Sequence, residues 1–97
     1  MDNEKFTKIC KKLVRDYFNL NVDKSDNFKI KTSDVFIVWS CKTLQNNKVL
    51  ASTTVPDNKY YEITYNGDKK EIYFDAYIKL QNICFSLDEL VLDEEEE

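Results

Sequence analysis

Apolar residues recur at helical spacing once in this chain, and after that they alternate. Phe6, Ile9, Cys10, Leu13, Val14, Tyr17 and Phe18 form one stripe with a period near 3.6. Residues 3–20 therefore read as an amphipathic helix, with Asp2 or Asn3 as its N-cap and Asn19 and Asn21 as exit residues. Lys5, Lys8, Lys12 and Arg15 fall on the opposite, basic face. From residue 35 the pattern is that of strands. Val35–Lys42 is β-branched and aromatic, Gln45–Lys48 supplies a turn, and Val49–Val55 returns. Pro56–Asn58 is another turn, and Tyr60–Tyr65 and Glu71–Leu80 form a hairpin around Asn66-Gly67. Residues 21–34 read as loop, with Phe28–Lys31 alternating as a short edge strand held by lysines.

One helix followed by successive strands predicts an α+β fold. The expected architecture is one long N-terminal amphipathic helix packed on a four- to five-stranded antiparallel meander sheet. A short C-terminal helix or strand and an acidic tail follow. Two details stay open. A two-residue Asn66-Gly67 turn pairs Tyr61 with Ile72 but sets Glu62 against Glu71; a four-residue loop pairs Ile63 with Ile72 and Tyr61 with Phe74. These registers differ by an even shift, so each side chain keeps its face. At the chain end, Ser86-Leu87-Asp88-Glu89 matches a capping box ahead of Leu90 and Val91 and favours a short helix; a strand over Ile83–Leu87 is the alternative.

At 97 residues the chain has room for one domain, here residues 1–92, with 93–97 as the tail. The net charge of -4 hides a split. Residues 88–97 hold seven acids and no base, which leaves 11 acidic and 14 basic residues for the body. Cys10, Cys41 and Cys84 are far apart, odd in number and set among apolar residues. They read as buried free thiols in a reducing cytosol, with no zinc spacing and hence no metal site. The start Met1-Asp2-Asn3-Glu4 does not read as a signal peptide, and the longest apolar run, Val35–Trp39, is far too short to span a bilayer. The chain has no histidine, so the usual general base and the commonest transition-metal ligand are absent. Gly67 is its only glycine, so no phosphate-cradling glycine loop can form. The expectation is a protein that is not an enzyme and carries no cofactor.

The helix covers one sheet face. Val35, Ile37, Trp39 and Cys41 are the expected covered set, which leaves Phe36 and Val38 on the far side, joined in a simple meander by Tyr60, Tyr73 and Tyr77. A face that meets only water does not normally carry such a group. Three readings compete: Ile83–Leu92 folds back over it, the protein self-associates into a homo-oligomer, or a heterologous partner docks there. The basic helix residues could contact phosphates and the aromatics could stack bases, which makes nucleotide or single-stranded nucleic-acid binding the alternative class. For the lysines a solvated polar face is the plainer explanation, and for the acidic tail it is simple solubility.

Two stretches, Val38–Lys48 and Tyr60–Tyr77, resemble a family of small phage and prophage proteins of Gram-positive bacteria, a domain of unknown function. The resemblance spans roughly residues 3–85. It implies an accessory protein made in the cytoplasm of an infected or lysogenic host cell, and it supplies no catalytic or binding residues. Small proteins in that setting often bind and block a host enzyme or an immune component. The expected function is binding to a host or phage protein, with host-defence (anti-CRISPR-like or other immune) inhibition as the sharper form.

Overall fold

The structure, a computed structural model, describes residues 1–22 and 28–91. Helix α1 (Asn3–Asn21) leads into a 3-10 turn (Thr32–Asp34) and four strands: β1 (Val35–Thr43), β2 (Asn46–Thr53), β3 (Lys59–Asn66) and β4 (Glu71–Ile78). They form one antiparallel sheet in the order β1-β2-β3-β4. The expected helix-on-meander architecture is the one observed, with four strands.

The N-cap is Asp2. Its Oδ1 accepts from the Lys5 backbone N–H at 2.8 Å, and this bond holds the carboxyl below the usual aspartate range. Phe6, Cys10 and Val14, one helical turn apart, are fully buried against Val35, Val49, Ala51, Tyr61 and Ile63. Each such large side chain is worth roughly 1.5–3 kcal/mol on burial.

Asn21 belongs to the helix, where its Nδ2 donates to the Tyr17 carbonyl at 2.8 Å. Asn19 is no simple exit residue. Its Nδ2 donates to the Ile30 carbonyl at 3.0 Å and its Oδ1 accepts from the Ile30 N–H at 2.9 Å. That pair of bonds imitates a strand partner and seats Ile30 in the core. The expected edge strand Phe28–Lys31 is not formed: at Ile30 the backbone meets a helix side chain, and the Lys31 N–H donates to the Asp34 carboxylate.

The first hairpin turns earlier than expected. Thr43 pairs with Asn46 across Leu44 and Gln45, with Leu44 at φ 55°, so Asn46, Asn47 and Lys48 are strand residues. The second hairpin takes neither anticipated register. Asn66 pairs with Glu71, Ile63 with Phe74 and Tyr61 with Ala76, around a loop of residues 67–70. Asn66 Oδ1 accepts from the N–H groups of Asp68 (3.1 Å) and Lys69 (3.3 Å), and Lys70 closes the loop at φ 54°. The shift is again even, so the faces hold. Glu62 now opposes Asp75, and Lys48 Nζ lies 3.3 Å from Glu62 Oε1 to offset the like charges. Gly67 has no positive φ; what requires it is contact, because a Cβ there would run into the carbonyl oxygen of Gln45. The two loops are tied by Gln45 to Asp68 (2.7 Å) and Gly67 to Asn46 (3.0 Å).

Beyond β4 the expected terminal helix or strand gives way to one 3-10 turn, Leu87–Glu89, with no side-chain cap from Ser86. Leu80, Ile83, Phe85, Leu87, Leu90 and Val91 are all exposed, so residues 80–91 do not fold back over the sheet. The radius of gyration is 17.4 Å, against roughly 12.5 Å for a compact chain of this length. The acidic tail 93–97, and Leu92 before it, lie outside the described residues.

Candidate functional site: the outer sheet face

The pairing register sorts the sheet into cross-strand rows. On the face turned away from α1, Phe36, Ser52, Tyr60 and Tyr77 form the first row. Trp39, Leu50, Glu62 and Asp75 form the second, and Cys41, Lys48, Thr64 and Tyr73 the third. Two members were expected on the inner face. A β-bulge at Val38 lets Ile37 oppose Ala51 while Trp39 opposes Leu50, so one extra residue moves Trp39 and Cys41 outward. Val38 itself still faces the outer side, beside Phe36.

The result is an aromatic end and a polar end. Phe36, Val38 and Trp39 are 46, 53 and 44% exposed. The rings of Tyr60 and Tyr77 stack at 5.0 Å and 14°. A groove of about 600 Å³ opens here, lined by Phe36, Val38, Leu50, Tyr60, Lys59 and Lys79 among others. Phe36, Val38, Tyr60 and Tyr77 are thus brought together. Tyr73 lies on the same face four residues along β4 from Tyr77, roughly 13 Å away. Its hydroxyl donates to Glu71, and that bond raises its pKa. Tyr77 is also raised, first by the charge of Glu62. Sequence reasoning missed Trp39, Leu50, Lys59 and Lys79; alternation alone gives no signal for a bulge.

The basic helix residues do not join this site. α1 lies on the inner face, so Lys5, Lys8, Lys12 and Arg15 are separated from the tyrosines by the sheet. Lys8 pairs with Glu4 at 3.6 Å and Arg15 with Asp16 at 2.8 Å. The cysteines differ from expectation. Cys10 is buried, but Cys41 is carried to the surface by the bulge and Cys84 sits on the exposed segment after β4. Among the described residues no three metal-ligating side chains cluster, and no helix is long and apolar enough to cross a membrane.

Comparison with known proteins supplies one match. The model of a family of unknown function (DUF6275) matches residues 7–87, and the chain belongs to that family. No curated protein and no solved structure matches.

Proposed function

We propose that this member of a family of unknown function is a non-catalytic binding protein whose outer sheet face docks a protein partner. The uncovered aromatic end of that face carries the reading. Phe36, Val38 and Tyr60 line one groove, Tyr77 stacks on Tyr60 and Trp39 stands in the next cross-strand row, and four of the five are at least 40% exposed. Large rings with polar tips are what protein interfaces concentrate. The chain has no histidine to serve as a general base, and the hydrogen-bonded Tyr73–Glu71 pair lies at the polar end of the face, outside the lining of the groove. The sharper form rests on the motif resemblance: a phage accessory protein in the bacterial cytoplasm that blocks a host or phage protein, host-defence components being the first candidates.

The test is affinity capture from phage-infected host cells with the full chain and its Phe36→Asp variant. A protein retained by the first and lost by the second, little affected by added salt, supports the reading. Equal capture by both removes the face from the function. The stacked Tyr60–Tyr77 pair beside Lys59 and Lys79 favours a second reading, a nucleotide or single nucleic-acid strand in the groove. Binding that falls steeply with salt identifies it.

A further inference from the structure

The inner face of the sheet is covered unevenly. α1 packs mainly over β1 and β2, and it reaches β4 through the Tyr17 ring, 5.1 Å from that of Phe74. Ile72, Ala76 and Ile78 share that inner face with Phe74, yet Ile72 is 37% and Ile78 70% exposed. Among the described residues β4 is also an open sheet edge. The other edge, β1, is broken by its bulge and carries Lys42, two devices that discourage strand addition. β4 has neither. Glu71–Ile78 runs in unbroken register with β3 and contains no proline and no lysine.

One hydrogen bond fixes which backbone groups are open. The Lys79 N–H donates to the Asn58 carbonyl at 2.6 Å. By alternation, Tyr77, Asp75, Tyr73 and Glu71 also turn their amides toward β3. Ile72, Phe74, Ala76 and Ile78 turn theirs to the open edge. We propose that a second copy of this chain occupies that edge, β4 pairing antiparallel with β4 across a twofold axis to join the two sheets into one.

One register uses all four open residues, with Ile72 of each copy opposite Ile78 of the other and Phe74 opposite Ala76. It brings the exposed isoleucines together and sets a large ring beside a small residue. On the outer face it places Glu71 opposite Lys79 and Tyr73 opposite Tyr77. Twofold symmetry supplies each of these pairs twice. Sliding by two residues either way leaves one isoleucine without an open strand residue opposite it. The axis passes between the two copies of Asp75, which is the one unfavourable pairing in this register.

Sedimentation of the full chain over a concentration series tests this. Wild type is expected to dimerise. Asp75→Asn removes the like-charge pair and is expected to lower the dissociation constant roughly two- to five-fold. Ala76→Pro is expected to leave the monomer folded, because the lost N–H points off the edge, and to abolish the dimer. Amide exchange gives an independent readout: Ile72, Phe74, Ala76 and Ile78 should gain protection with concentration. A wild type that stays monomeric at every concentration overturns the proposal, as does a dimer indifferent to both substitutions. Phe36 lies at the far end of the sheet, so Phe36→Asp should leave dimerisation intact. A dimer that Phe36→Asp dissociates instead puts the second copy on the outer face and overturns the edge pairing, whatever the partner capture shows.

Discussion

Cys10 and Tyr61 are the two side chains whose titration burial displaces most, both pushed up to about 12, from 9.0 and 10.0. Burial penalises the thiolate and phenolate, and among the described residues the Tyr61 hydroxyl has no hydrogen-bond partner to offset this. The raised folded values mean that both groups favour the native state fully below their unfolded pKa. That contribution is lost as pH climbs from about 9 towards 12, where the unfolded chain releases protons that the folded one retains. Melting temperature is therefore expected to fall across that window, and less steeply in Cys10→Ala. Equal slopes would mean that the thiol is not desolvated. The same burial sorts the three cysteines by reactivity. A thiol reagent in native buffer should label Cys41 and Cys84 promptly and Cys10 only on unfolding. Sequence treated all three alike, because each has apolar neighbours; what separates them is a bulge and a chain end.

The helix, the strand order and the side-chain faces of the last hairpin were legible because each rests on a period that several residues repeat. The features that were not legible each depend on a single residue. One extra residue at Val38 reverses the face of Trp39 and Cys41, and no pattern in Val35–Thr43 marks it. The hairpin at Gly67 follows contact with Gln45 and the Asn66 side chain, so the usual Asn-Gly turn is not made. Asn19 read as a helix-exit residue, whereas it clamps the strandless segment at Ile30 through two bonds. Of the outer-face group, Phe36, Val38, Tyr60 and Tyr77 were legible from alternation, while the groove that Phe36, Val38 and Tyr60 line was not. The clamp can be tested by itself. Asn19→Ala leaves the Ile30 N–H and carbonyl without their partner and should cost about 1–3 kcal/mol. Asn19→Asp keeps the acceptor and loses the donor, and should fall between the two. Denaturant midpoints rank the three. Wild-type stability in Asn19→Ala would show that the Ile30 segment holds its place without the amide.

The whole molecule divides into a body that closes its own core and a segment that adds nothing to it. Among the described residues every core residue lies between Phe6 and Ile63, and the last strand ends at Ile78. After it, Leu80, Ile83, Phe85, Leu87, Leu90 and Val91 are between 54 and 95% exposed. A segment that buries so little cannot contribute much hydrophobic free energy to folding. Truncation after Leu80 keeps β4 whole, together with the Lys79 to Asn58 bond that finishes its pairing. The truncated chain is expected to melt within about 4 °C of the full one, a change below about 1 kcal/mol. Circular dichroism melts of the two chains decide this. A large loss of melting temperature would mean that residues 80–91 pack on the body in solution, with the aromatic groove beside Lys79 as the nearest place to receive them. An unchanged melt leaves that groove open, which the docking of a partner at Phe36 and Tyr60 requires.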